Sequence, residues 1–302
     1  MRKPDNEASR QRALDLYRVV DSLPDTAYDD IVQLASTLCG TPIALMTLID
    51  RDRQWFKASR GLDGTGTRRE DAFCAHAIEA PTTLMEVPDA QADARFVANP
   101  LVTGDPHIRF YAGMPLVTPG GDAIGTVCVI DDRPRELGAR ERDGLAALAR
   151  LTMTLLDARL HEQQLERAAV FAEAAAAPHG DAFGVAILQV QGLTEHAARL
   201  GERALERQLI DLEQRLGEAL DKARGDSVNR TSHSPDFIAV LHGDADATGR
   251  RLRECADAFT ARTGIAIASA AAKASDPDER IEYVYLRADE ALTAAKDGAS
   301  AM

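Results

Sequence analysis

RFYAGMPLVTPGGDAIGTVCVID, running from Arg109 to Asp131, decides the fold of the first half of this chain. Two apolar segments, FYAGMPLV and AIGTVCVI, flank Pro119-Gly120-Gly121-Asp122, and glycines with a turn-type aspartate between two β-rich runs mark a hairpin. Along the second run Ile124, Thr126, Cys128 and Ile130 point one way, while Gly125, Val127 and Val129 point the other. Neither face is charged. The hairpin is therefore expected inside a sheet that is covered on both sides.

Upstream of it, apolar residues from Glu7 to Val20 recur at helical spacing, and a second helical stripe combines Tyr28, Ile31, Leu34, Ala35 and Leu38 before Gly40 stops it. Ile43 to Ile49 is a nearly continuous apolar run, expected as a buried strand, and Asp50-Arg51-Asp52-Arg53 turns it into a second strand bearing Trp55. FCAHAI at 73–78 is read as extended, which would put Cys74 and His76 on one side. The segment 88–102 is read as a structured loop able to lie over a pocket.

The chain of 302 residues has room for two domains, and its 45% hydrophobic and 27% charged residues suit a globular protein. A net charge of -13 disfavours phosphate backbones and anionic lipid, so neither nucleic acid nor membrane is an expected partner. With no run of about 18 apolar residues and no apolar core after the first basic residues, a cytoplasmic location is expected. Cys39, Cys74, Cys128 and Cys255 are scattered, which suggests neither a disulfide framework nor a zinc site.

PIALMTLIDRDRQWFKASRGL, FCAHAI, VPDAQADARFVANPLVTG and the hairpin stretch together resemble the GAF domains of bacterial sensor proteins, over roughly residues 8–158. The resemblance implies a central antiparallel sheet with helices on one face and a small-molecule or protein-binding surface on the other. It names no cofactor, because relatives serve cyclic nucleotides, tetrapyrroles, haem, small metabolites or nothing. Trp55, Cys74, His76, Arg109, Tyr111 and Cys128 are the residues expected around such a pocket. Cys74-Ala75-His76 reads as a thiol beside an imidazole, as a pair of metal ligands, or as a packing feature of the fold, and packing is the expectation. Cys128 is expected in the core; an approach to Cys74 would bring thiol redox chemistry into view.

From 139 to 177 the pattern is one long helix. Leu148, Leu151, Leu155 and Ala158 follow a heptad seam that continues imperfectly through Glu162, Leu165 and Ala169; the first half reads equally as a helix packed on its own domain, and for the second half a two-stranded coil joining a homodimer is expected. Pro178-His179-Gly180-Asp181 ends it. The division expected is thus 1–138 sensor, 139–178 linker helix, 179–302 second domain, with an overall α/β (α+β) class in which the second sheet is flanked by helices.

The second domain reads as strand 183–190, a long helix ending near Lys222, strands SVNRT and DFIAVL, a helix from Ala245, strand 264–270 and a last helix. With SPDFIAVL in its middle and RADEALTAAKDG at its end, residues 181–299 resemble the GGDEF domain of diguanylate cyclases, which join two GTP molecules into cyclic di-GMP. Phosphoryl transfer of that kind needs carboxylates holding divalent metal. Gln189 stands where the resemblance implies the first metal carboxylate, and Ser234-Pro235-Asp236-Phe237-Ile238 stands for the signature turn without its glycines. The resemblance further aligns Ala197 and Glu206 with base-reading residues, keeps Lys296 for phosphate, and keeps Asp226 of the product-inhibition motif with Ala223 in place of its arginine. A degenerate domain acting by partner or guanine-nucleotide binding is the expectation, with no catalytic or metal residues; the alternative is an active GAF-regulated diguanylate cyclase.

Overall fold

The computed structural model describes residues 6–176, 183–231, 234–276 and 278–300. They divide into two compact units. The first runs up to Val20 and from Pro24 to Leu160; the second takes Asp21–Leu23 and continues from His161. The Pro178–Asp181 break lies outside the described residues.

In the first unit, helices α1 (Glu7–Tyr17) and α2 (Thr26–Cys39) precede strands β1 (Ile43–Ile49), β2 (Arg53–Arg60) and β3 (Gly66–Arg68). Short helix α3 (Phe73–Ala77), strand β4 (Met85–Val87) and short helix α4 (Pro100–Thr103) lead to β5 (Phe110–Val117), β6 (Ala123–Asp131) and the long helix α5 (Ala139–Ala176), which belongs to this unit as far as Leu160. The strands form one antiparallel sheet in the order β3-β2-β1-β6-β5-β4, so the second strand of the hairpin is central and buried along its whole length. The hairpin turn closes with Thr118 N donating to Asp122 O at 2.9 Å, and Gly121 supplies the positive φ of 88° that the turn needs.

Alternation along β1 builds two cores. Ala44, Met46 and Leu48 face α2 and α5, whereas Ile43, Leu45 and Ile49 face α3 and the long loop. Gly125 is required between β1 and β6, because a Cβ there would stand 1.9 Å from Thr47 O. The reading of β6 holds from Val127 to Ile130, but Ile124 packs with Val127 and Val129 instead of Cys128: the register shifts between Leu116 and Val117, and a bulge re-aims its neighbours.

Helix α2 begins with the Asp25 carboxylate accepting from Ala27 N at 2.9 Å and ends at Gly40, whose φ is 61°. Its buried stripe is Tyr28, Ile31, Val32, Ala35 and Cys39; Leu34, expected inside, is 53% exposed. FCAHAI is helical, not extended. So short an apolar run carries no period by which to tell the two apart.

Helix α5 divides the expected seam. Leu148 and Leu155 join Leu145, Ala149 and Leu156 against the first unit's own core, while Leu151 and Leu165 are 48% and 59% exposed. Farther along, Phe171 is buried in the second unit.

The second unit continues with β7 (Phe183–Val190), α6 (Leu193–Leu200), α7 (Glu202–Glu218), β8 (Ser227–Arg230), β9 (Asp236–His242), α8 (Ala245–Thr263), β10 (Ile267–Lys273) and α9 (Ile281–Ser300). Its antiparallel sheet has the order β10-β7-β9-β8, the β-α-β-β-α-β plan of ferredoxin-like folds with the first helix doubled. The single long helix expected after β7 is broken at Gly201, which has a φ of 82°. One face carries Leu205, Leu209, Leu212, Leu252 and Phe259; the other carries Phe171, Val284, Ala288 and Leu292. Both units belong to the mixed class with antiparallel sheets. Among the described residues no helix is long and apolar enough to cross a membrane.

Candidate functional site

Beneath the loop-covered face of the first sheet, three of the expected residues meet. Cys74 of α3 and Cys128 of β6 place their Sγ atoms 3.7 Å apart, and both are buried. Tyr111 of β5 donates its hydroxyl to Cys74 Sγ at 3.3 Å, and Gln54 of β2 donates Nε2 to the same sulfur at 3.0 Å. The Gln54 amide is oriented by Thr67, whose hydroxyl donates to Oε1 at 2.9 Å. Thr47 and Thr126 pair their hydroxyls at 3.3 Å across β1 and β6.

Burial opposes a thiolate at Cys74, yet hydrogen bonds from Cys128, Thr126, Thr47 and Tyr111 outweigh it and bring the thiol down to about 6. The same charge acts on its neighbours with the opposite sign. Its hydrogen bond to Cys74, together with burial, holds the Cys128 thiol well above its ordinary range; burial and the two sulfurs do so for Tyr111. The arrangement can hold one negative charge on sulfur in the absence of bulk water. The other two cysteines shift the opposite way: burial pushes the buried Cys39 up to about 11 and raises the half-buried Cys255.

The other expected pocket residues have separate settings. Cys74 and His76 sit two apart on a helix, where such positions do not face each other, so the imidazole meets the edge of Phe96 at 5.0 Å. Burial holds His76 below its usual range. Arg109 donates Nη1 to the carbonyls of Val102, His107 and Ile108 at 3.0–3.1 Å and so knits the loop together. The loop fills the face with its own side chains: Phe96 stacks on Phe73 at 3.9 Å, and Phe73 leans on Tyr111 at 5.2 Å.

Trp55 lies on the opposite, helix-covered face. There it flanks Lys57, a residue the sequence pattern does not single out. Opposite Met46 and Thr47 the pairing jumps from Ala58 to Phe56, which leaves Lys57 as the bulged residue. Its ammonium lies 5.3 Å from the Tyr28 ring and 5.9 Å from the Trp55 ring. Burial, then the nearby Arg159, lowers it to about 7 against the opposing pull of Asp25 and Asp29.

In the second unit Gln189 and Asp236 are cross-strand partners. Gln189 Nε2 donates to Asp236 Oδ1 at 2.8 Å, and Gln191 Nε2 donates in turn to Gln189 Oε1 at 3.2 Å. Ser234 Oγ accepts from Asp236 N at 3.3 Å, Pro235 O accepts from Val190 N at 2.9 Å, and Phe237 is core. Strand β9 already begins at Asp236, so the segment aligned with a signature turn is a turn only at Ser234 and Pro235.

Glu206 receives both Nη atoms of Arg230, at 2.8 and 3.1 Å, and Ala197 is core. Asp226 caps backbone, accepting from His242 N at 2.7 Å and Asp221 N at 3.0 Å. Lys296 lies apart from these residues in sequence, on α9. Among the described residues no three His, Cys, Asp or Glu side chains gather as a metal-binding group.

Residues 23–156 match the family model described as the GAF domain, so the first unit contains a GAF domain. A cyclic di-GMP phosphodiesterase of Pseudomonas aeruginosa is 45% identical over 159 residues, which is 52% of this chain and 26% of that protein. The match therefore spans about a quarter of the relative's length. Among solved structures, the GAF domain of an Acinetobacter phosphoenolpyruvate-protein phosphotransferase is 14% identical, with 51% of this chain and 93% of that one covered and a TM-score of 0.39. The PixJ GAF domain of Thermosynechococcus elongatus is 17% identical, with 54% and 96% covered and a TM-score of 0.39.

Proposed function

We propose that the chain is a signalling protein of the cyclic di-GMP system in which the GAF domain regulates a second, diguanylate-cyclase-like unit that works by binding and not by making product. The observation that carries this reading is the hydrogen bond from Gln189 to Asp236. Metal-assisted phosphoryl transfer asks for facing carboxylates whose charge is met by divalent cation. Here a neutral amide faces the one carboxylate and donates to it. The Arg230 fork on Glu206 supports the same reading, because it ties up the side chain aligned with base recognition.

The system is suggested by the phosphodiesterase relative, whose name supplies cyclic di-GMP and whose own activity is not carried over. Dimerisation through α5 belongs to the proposal. Leu151 and Leu165 are exposed two heptads apart with Ala158, also exposed, midway between them, a spacing that suits a two-stranded seam. The partner surface or small ligand remains for the second unit to select, guanine nucleotides included. Incubation of the purified chain with GTP and Mg²⁺ or Mn²⁺ tests the reading through the absence or presence of cyclic di-GMP.

A further inference from the structure

We propose that Cys74 and Cys128 form a reversible dithiol–disulfide couple whose oxidant is a small hydroperoxide, a modification site inside the core of the first unit. The geometry comes first. The sulfurs are 3.7 Å apart, and a disulfide needs about 2.05 Å, so less than two ångströms of approach closes the bond. Cys128 is fixed in the central strand, whereas Cys74 rides on a helix of only five residues that no side chain caps, so the movement falls on α3.

Buried structural cysteines are ordinarily surrounded by apolar atoms and are inert. Cys74 has such apolar neighbours but polar partners as well. Gln54 and Tyr111 donate to its sulfur, Cys128 Sγ lies 3.7 Å from it, and all three residues are themselves buried. A shell of donors around one sulfur stabilises the thiolate, the nucleophilic form. Cys39 and Cys255 lack such a shell, and their thiols are shifted up.

The chemistry balances without a further reagent. The Cys74 thiolate attacks one peroxide oxygen, the O–O bond breaks, and the departing alkoxide or hydroxide takes a proton to leave as alcohol or water. Cys74 is then a sulfenic acid. Its negative charge is gone, which removes what had held the Cys128 proton in place. Cys128 sulfur attacks Cys74 sulfur, the S–O bond breaks, and hydroxide leaves with the Cys128 proton as water. Two thiols and one hydroperoxide give one disulfide, one alcohol or water, and one water; two electrons pass from sulfur to oxygen. An external dithiol reverses the change by exchange. The couple stands on the first unit alone and is independent of whether the second unit makes product.

The test uses the full chain carrying Cys39→Ser and Cys255→Ser, so that only the pair remains. The reduced protein is exposed to hydrogen peroxide, quenched, denatured, alkylated with iodoacetamide and mapped by mass spectrometry. Expected is joint loss of alkylation at both positions, a cross-linked peptide pair lighter by two hydrogens, and recovery of both sites after dithiothreitol. Adding Cys128→Ser should let dimedone trap Cys74 as its sulfenic acid. Full alkylation of both cysteines after peroxide, or oxidation of Cys74 to the sulfinic acid while Cys128 stays alkylatable, overturns the proposal. Because the first arm leaves the pair intact, its outcome does not depend on whether the Cys128→Ser variant folds.

Discussion

The ring of Tyr111 lies over the bare backbone of Gly113, two residues on along the same strand, so closely that a Cβ at Gly113 would stand 2.1 Å from the tyrosine oxygen and 2.7 Å from Cζ. Residues two apart in a strand share a face, and the larger one can lean across the smaller only when the smaller is glycine. The lean is what carries the hydroxyl to Cys74 Sγ. Gly113→Ala therefore forces the ring to move within a core that has no spare room. A loss of about 1–3 kcal/mol is expected, measured as a lower urea midpoint at unchanged slope; an unchanged midpoint contradicts the packing.

Tyr111→Phe keeps the ring and removes one donor to the Cys74 thiolate. The thiol, now at about 6, should rise by roughly one unit, the worth of one hydrogen bond to a charged group. Thiolate absorbance followed against pH in the Cys39→Ser, Cys255→Ser background reads it. An unmoved titration would mean that Tyr111 is a packing residue only.

Lys57 gives stability a pH dependence with a definite sign. Its folded value of about 7 lies below the ordinary 10.5, so between the two the unfolded chain holds a proton that the folded chain does not. Stability contributed here rises with pH across that window and is lowest below it. Lys57→Met should flatten the rise and, near pH 7, stabilise the first unit by on the order of 1 kcal/mol. Urea unfolding across the window decides; a slope identical to that of the parent chain contradicts the assignment.

Much of the first unit is legible in the sequence, for physical reasons. The hairpin's uncharged, alternating strands have only one stable setting, the middle of a covered sheet. What escapes is whatever depends on neighbours remote in sequence. Cys74 and Cys128 meet because a helix too short to announce itself crosses the central strand, and FCAHAI looks the same extended or coiled. Thr47 and Thr126 do leave a mark, each a hydroxyl within an otherwise apolar buried strand, where a polar atom asks for a partner. Lys57 leaves a weaker one, because a bulge is invisible in the pattern and a lone lysine in a strand does not announce that it is buried. In the second unit Gly201 announces the helix break plainly, but the periodic leucines on either side mask it.

Gln189→Asp would set two carboxylates face to face where an amide now donates at 2.8 Å. Like charges at that distance repel, and the second unit should lose about 1–3 kcal/mol through a buried unmatched group. If Gln189 is what denies the site a cation, Mn²⁺ should raise the Tm of this variant and leave that of the parent unchanged. Equal shifts in both proteins would count against the role given to Gln189.

The central claim, that the second unit responds without making product, is tested most directly by mass-spectrometric measurement of cyclic di-GMP after the full chain is incubated with GTP and Mn²⁺, once with reduced protein and once after peroxide treatment. No cyclic di-GMP above a protein-free control is expected in either state. Cyclic di-GMP accumulating at enzymatic rates, in either state, would contradict the claim.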